Sequence, residues 1–598
     1  MAPQVPGHRF LQPQFLRDTA RKYVFSSNHK VIGVQYYLLG LFAVGGGVME
    51  SLLMRVHLAW PRLPMPWLST LSPIGAPGGI MTPEIYLALL TMHGTLMVFF
   101  VATTVPQAAF GSYFLPLQIG SREMAFPRLN MVAFWLTVLS LALLLSTVFT
   151  AGGPPTSGWT ASPPMSALGS IAGPGEGMGQ TLWLVSIGIF SIASLLVATN
   201  FIATTLKSRT RGMSLMRLPL TVWAWFITAI LMAFAFTVLL IATALLLMDH
   251  IGGYSFFLPA NLVVSGVLQR YSGGSPLLWD HLFWFFRHPE VYIAIVPGIG
   301  LTSHLLSVFC RKPVFGYHAV LYATAAIGLF GLVVQDHPML TKGTNSFPAL
   351  GLSVVAMAVV IPLVVVIFSW LATLWGGAIR LTAAMLFSLS FVTVFSTASV
   401  SCIFLAQTPL GLYLRGTYFM VAHLHLMMGL AAIFAIFAGT YFWFPKVTGR
   451  LLNETLARIH FGFTFVGCYC IFLPMYFFGL SGLPDCYATI KGVPTLAALQ
   501  PWNVFITGAA LATAAVQPLF LFNLGRSLLK GARSPQNPWE GTTLEWTIPS
   551  PPPAANFPGD PPIIYRYPYE YGAGSGTRDY IMQHELKAPS APSKAAFC

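Results

Sequence analysis

Twelve apolar runs follow one another along this chain, near 33–54, 84–117, 129–151, 181–206, 219–248, 278–308, 316–335, 348–376, 381–406, 417–444, 459–480 and 501–525. A helix needs about 20 apolar residues to cross the hydrocarbon core of a bilayer. No water reaches the backbone there, so each crossing segment must satisfy its own N–H and C=O groups, and the helix does so within one run. The chain is therefore expected to be an all-α polytopic membrane protein with twelve transmembrane helices. A composition 55% hydrophobic and only 8% charged agrees, and is incompatible with a water-soluble globular fold of 598 residues.

The few charges are distributed unevenly. Short loops after even-numbered runs hold 12 lysines and arginines, those after odd-numbered runs hold 6, and five more precede the first run (Arg9, Arg17, Arg21, Lys22, Lys30). Basic residues stay on the cytoplasmic side, which puts both termini there. The net charge of +14 is then mostly topological; the basic flanks face anionic lipid, and no nucleic-acid partner is implied. No cleavable signal is visible in the polar first 30 residues. The organisation expected is a cytoplasmic segment over 1–32, a membrane domain over 33–527 and a proline- and glycine-rich cytoplasmic tail over 528–598, ordered by contact or flexible. The loop at 152–180 is long enough to be functional or a docking surface. Six cysteines without a CxxC spacing read as inert thiols, and Cys468 and Cys470 diverge on a helix.

Chemistry concentrates in the histidines. His93, His288, His337, His423 and His425 lie within or near the ends of apolar runs. A histidine in a bilayer is costly unless it pairs, lines water or binds a metal. One alone is accounted for by a hydrogen bond between helices; five together point to ligation. His423 and His425, two residues apart, project to nearly opposite sides of a helix and serve two different centres. His288 and Tyr292, four apart, share a face, where an imidazole and a phenol can meet at one centre. Glu290 between them is an intramembrane carboxylate, a residue type that carries protons in such settings.

These residues sit in a series of segments: KYVFSSNHKVIG at 22–33, LMRVHLAWP at 53–61, MHGTLMVFF at 92–100, GSYFLPLQIGSREMAFPRLN at 111–130, GWTASPPMS at 158–166, FWFFRHPEVYIAIVPGIG at 283–300, FSWLATLWGG at 368–377, TYFMVAHLHLMMG at 417–429 and TTLEWTIPSPPP at 542–553. In order and spacing they resemble subunit I of the haem-copper oxidases, the cytochrome c oxidase branch. The resemblance implies twelve helices in three arcs around haem pores, two haems (one low-spin, one high-spin, of the a type) and a copper ion. It makes His93 and His425 the axial pair of the low-spin haem, with Arg55 at that haem's periphery and Trp159 at a cofactor edge. His423 becomes the proximal ligand of the oxygen-binding haem, and His288 and His337 ligands of the copper. Tyr292 becomes the phenol that supplies an electron and a proton, Glu290 the proton relay, and Glu123, Asn130 and Ser112 an entry route from the cytoplasm. The partners implied are a copper-bearing subunit II, subunit III, cytochrome c and dioxygen, in a bacterial plasma membrane.

The chain also departs from that pattern. Where the family has two adjacent histidines for copper, VVQDHPMLT has His337 followed by Pro338, and a register shifted by one offers Asp336, whose oxygen suits copper(I) less well than imidazole. Arg287 replaces a small residue before His288, Val366 stands in place of a proton-path lysine, and Asp485-Cys486 replaces an arginine pair that holds haem propionates. Arg415-Gly416 replaces a His-Asp pair that binds magnesium, Glu123 an aspartate and Ser112 an asparagine. Two functions are therefore carried forward: a respiratory oxidase core that reduces dioxygen, and a haem-bound subunit that only transfers electrons. A transporter without cofactors would leave the histidines unexplained. A nitric oxide reductase relative fits less well, because Tyr292 belongs to the oxygen branch.

Overall fold

A computed structural model describes residues 20–71, 76–334, 346–490, 493–572 and 578–586. Among them eleven helices are long and apolar enough to cross a membrane: α1 (His29–Ala59), α2 (Pro83–Ile119), α3 (Pro127–Phe149), α4 (Met178–Lys207), α5 (Leu220–Gly252), α6 (Pro276–Cys310), α8 (Ser353–Leu374), α9 (Ala383–Ala406), α10 (Tyr418–Thr448), α11 (Glu454–Leu480) and α12 (Pro494–Lys530). The twelfth apolar helix, α7 (Tyr317–Val333), has 17 residues; at 1.5 Å per residue it covers about 26 Å, close to the hydrocarbon thickness of about 30 Å. The helix ends lie within several residues of the apolar runs. They begin where local chemistry permits: Asn28 accepts the Lys30 N–H ahead of α1, and Ser275 followed by Pro276 opens α6.

Most sequence neighbours pack on one another, α3 also packs on α1, and α12 returns to α1. Helix α6 lies at the centre, against α2, α5, α7, α9 and α10, and its most apolar window is wholly buried. From Tyr292 to Cys310 every residue of α6 is buried, so a polar residue on that stretch meets protein and not lipid. Two spans carry π-helical turns. Helix α2 widens into π-helical turns over Leu96–Ala109, immediately after His93, and α10 does so over His425–Leu430. In the first, the Thr103 and Thr104 hydroxyls donate to the carbonyls five residues back, of Val98 and Phe99, at 2.7 and 2.8 Å. Widened turns of this kind recur at functional sites.

The chain beyond α12 packs closely among its described residues. Leu544, Glu545, Trp546, Asn556 and Tyr569 are buried against the helix ends. Arg311, just past α6, binds the Asp579 carboxylate with both arms and lies 4.7 Å from the Tyr571 ring. Lys30, at the start of α1, donates to the Pro553 and Ala554 carbonyls and to Asn556.

Candidate functional site

His93 and His425 face each other across the helix bundle. The Nδ1 of His93 is held by the Gly47 carbonyl of α1 at 2.8 Å, and that of His425 by the Val421 carbonyl one turn back, also at 2.8 Å. A neutral imidazole that donates from Nδ1 keeps its lone pair on Nε2, the orientation that a backbone carbonyl behind the ring gives a metal ligand. The ring planes lie within 13° and the ring centres are 6.2 Å apart. A metal ion held between two imidazole nitrogens at about 2 Å each needs ring centres roughly 6 Å apart. Phe472 stacks on the far side of His425 at 4.8 Å. Glycine is required at 94: a Cβ there would lie 2.7 Å from Cδ1 of Trp159.

His423 is turned toward α9 and α11, where its Nδ1 lies 2.8 Å from the Ser401 Oγ. Ser401 also accepts the Tyr476 hydroxyl at 2.9 Å and donates to the Ala398 carbonyl at 2.8 Å. His288 on α6 is held through Nδ1 by the Gly331 carbonyl of α7 at 3.0 Å, with Trp284 stacked on it at 5.1 Å. The Tyr292 hydroxyl is 3.4 Å from the His288 Nε2, so the four-residue spacing does bring imidazole and phenol together. Glu290 is fully buried; its Oε1 is in hydrogen-bond contact with the Thr103 hydroxyl, and Oε2 has no hydrogen-bond partner among the described residues.

Toward the tail, Glu123, Ser112 and Asn130 converge on a residue that sequence reasoning passed over. His29 gives its backbone N–H to Glu123 at 3.5 Å and its Nδ1 to the Ser112 carbonyl at 2.8 Å, while Nε2 accepts the Asn556 side-chain amide at 2.9 Å. The Ser112 hydroxyl lies 3.5 Å from Asn130 Oδ1. Burial raises the Glu123 carboxyl above the usual range, opposed by the His29 N–H and the Lys30 charge. The one hint of His29 in the sequence was its place just before the first apolar run. Ser401 left no signal, being one hydroxyl among many on α9.

Elsewhere, Arg55 donates from Nη2 to Asn503 Oδ1 at 2.8 Å, and its buried Nε has no partner among the described residues. The Trp159 ring lies 5.9 Å from the Arg287 Cζ. Val366 is fully buried in apolar surroundings. Asp336 and His337 lie outside the described residues. The five described cysteines are free thiols.

The donor set suits haem. Axial ligation of a macrocycle takes one imidazole on each side, and His93, His425 and His423 are each locked through Nδ1 with Nε2 left to ligate. Among the described residues no group of three or more His, Cys, Asp or Glu side chains is gathered about one point.

Comparison with known proteins agrees. Residues 31–512 match the family described as cytochrome c and quinol oxidase polypeptide I. The chain is 40% identical over 588 residues to the alternative cytochrome c oxidase subunit 1 of Bradyrhizobium diazoefficiens, spanning 97% of this chain and 95% of that one. It is 39% identical over 560 residues to cytochrome c oxidase subunit 1 of a Synechocystis species, spanning 93% and 94%. A solved haem-copper terminal oxidase dimer shares the fold, with a TM-score of 0.68 at 16% identity over 84% of each chain. A match across most of the membrane domain, with relatives this similar almost from end to end, makes the chain a member of the cytochrome c and quinol oxidase polypeptide I family, subunit I of the terminal oxidases, whose cofactors are haem and copper.

Proposed function

We propose that the chain is the core subunit of a respiratory oxidase that takes electrons from cytochrome c through a copper-bearing subunit II, reduces dioxygen to water, and takes up or pumps protons. The observation that carries this reading is the set of imidazoles fixed through Nδ1, with Tyr292 beside His288 and a buried Glu290 nearby. Bound haem and copper supply electron storage and oxygen binding.

In this reading His93 and His425 would hold the low-spin haem, with Arg55 as a further residue of its site. His423 holds the second haem, oriented by Ser401. His288 presents Nε2 to copper, with His337 or Asp336 as further ligands, and Tyr292 keeps its hydroxyl proton next to that nitrogen. Glu290, with Thr103 on one oxygen, is the proton relay within the buried bundle. Glu123, Ser112 and Asn130 mark the entry for protons, on the side of both termini, and Trp159 borders the opposite edge. The haems are of the a type and the membrane is a bacterial plasma membrane, where subunit III also packs.

Val366 favours a second reading, an electron-transferring subunit with an impaired oxygen site, because its fully buried apolar setting offers no proton path. Counting copper and iron per chain in the purified complex, after subtracting the copper of subunit II, separates the two. Two haems with one further copper support oxygen reduction; two haems without it refute that chemistry and leave electron transfer.

A further inference from the structure

Lys30 opens α1 beside Glu123, yet its ammonium is bound elsewhere. Glu123 Oε2 takes the N–H of His29 at 3.5 Å, so the carboxylate sits at the residue next to Lys30. The N–H groups of Lys30 Nζ go instead to the tail, to the carbonyls of Pro553 and Ala554 at 2.8 and 2.9 Å and to Asn556 Oδ1 at 2.6 Å. An ammonium has three donors and no acceptor, so these contacts use all of it. Arg122, next to Glu123 in the chain, pairs with Asp560 of the tail at 3.5 Å. The tail thus holds both cations that flank Glu123. The other titratable groups of the surrounding elements are Arg128 on the first turn of α3 and His29, whose ring is turned to Asn556.

A turn of the tail makes this clamp. The Asn556 N–H returns to the Pro553 carbonyl at 3.0 Å, and Asn556 sits at a φ of 64°, in the left-handed region that asparagine tolerates better than most side chains. Its side chain is fully buried. The amide nitrogen donates toward His29 Nε2 at 2.9 Å and toward the Ser121 and Arg122 carbonyls at 2.9 and 3.1 Å. Those three are acceptors, while the ammonium at Oδ1 is a donor, so the surroundings dictate which way the amide points. One side chain therefore grips both the start of α1 and the loop that carries Glu123.

We propose that Asn556 is a positioning residue for proton uptake: by holding Lys30 on the tail it keeps an ammonium off Glu123 and leaves that carboxylate free to take a proton from the side of both termini. The proposal rests on the reading that Glu123 marks the proton entry. An ammonium placed on a carboxylate favours its charged form and lowers the pH at which it takes a proton by about one to three units. Without Asn556, Lys30 loses an acceptor, and Glu123 is the anion beside it.

The test uses the whole membrane complex, as wild type and with Asn556→Ala, with Asn556→Ala and Lys30→Met together, or with Glu123→Gln. Oxygen consumption is followed against pH, and the protonation of Glu123 by the infrared carboxyl band that Glu123→Gln removes. Asn556→Ala should move the Glu123 titration, and the pH above which turnover falls, downward by about one unit, so that turnover at a fixed pH above both drops about tenfold. Adding Lys30→Met should bring both back. A tail that had merely come loose would give no such recovery, because methionine cannot rejoin it. An unmoved titration in Asn556→Ala, or no recovery in the double variant, overturns the proposal. Wild-type turnover in Glu123→Gln would instead sink the reading of Glu123 as the entry, while the infrared titration still decides where Lys30 goes. Should Asn556→Ala fail to assemble, Asn556→Ser, polar but too short to reach Lys30, decides the same question.

Discussion

Replacing Ser401 by alanine tests how the second imidazole is held. The Ser401 hydroxyl has complete hydrogen bonding: it accepts from His423 Nδ1 and from the Tyr476 hydroxyl, and donates to the Ala398 carbonyl. Alanine deletes all three bonds in a buried setting. Leaving the His423 N–H and the Tyr476 hydroxyl unsatisfied costs about 1–3 kcal/mol each, toward the low end for Tyr476, which is only partly buried. Part of that cost appears as freedom of the imidazole, because a ligand that loses its outer-shell partner typically loses 10–100-fold in metal affinity, roughly 1.4–2.7 kcal/mol. In the purified complex, Ser401→Ala should lower the iron–histidine stretching frequency in resonance Raman spectra. It should also release one haem of two at lower denaturant concentration, while the bis-imidazole haem stays. Ser401→Thr keeps the hydroxyl and should restore both. If Ser401→Ala leaves the stretch and the haem release as in wild type, the hydroxyl does not orient His423 and the reasoning is wrong.

Three further outcomes are expected. Gly94→Ala places a Cβ 2.7 Å from Trp159 Cδ1; overpacking of about 1–3 kcal/mol should displace His93 and shift the absorption of the low-spin haem, with carbon monoxide binding at the other haem unchanged. The Glu545 carboxyl is raised chiefly by burial, with the Gln118 hydrogen bond and Lys446 acting the other way. Its contribution to tail docking is therefore full below the ordinary value of 4.5 and declines as pH rises through the raised one. Protease cleavage of the tail should increase with pH in that window, and Glu545→Gln should flatten the dependence. Asp579 is held below its ordinary 3.8 by the Arg311 hydrogen bond. That contribution is present above 3.8 and is lost as pH falls through the depressed value, so Asp579→Asn should loosen the tail at neutral pH by about 1 kcal/mol or less, given its exposure, read by hydrogen exchange around Tyr571.

The spans were legible because a bilayer imposes a length on every apolar run, and the histidines because each is expensive there. The one-turn spacing of His288 and Tyr292 translated directly into contact, as did the divergence of His423 and His425. What the sequence concealed depends on other elements. Ser401 looks like Ser399, whose hydroxyl merely bonds the Phe395 carbonyl of its own helix; only the packing of α9, α10 and α11 distinguishes them. His29 lies outside any apolar run, and its partner Asn556 is more than five hundred residues away. The tail read as ordered by contact or flexible, and composition could not choose, because its burial rests on separate anchors such as Trp546 and Tyr569.

The π-helical turns after His93 and at His425 bear on how this bundle tolerates change. In an ordinary α-helix the loss of one residue rotates everything beyond it by about 100°. Within Leu96–Ala109 or His425–Leu430 the backbone already holds surplus residues, so a single deletion can relax the widened turn to regular pitch and leave the distal face where it was. The phase between each of these histidines and the residues farther along its helix is thus set by a removable count, a means by which such a chain can be retuned without rebuilding its core.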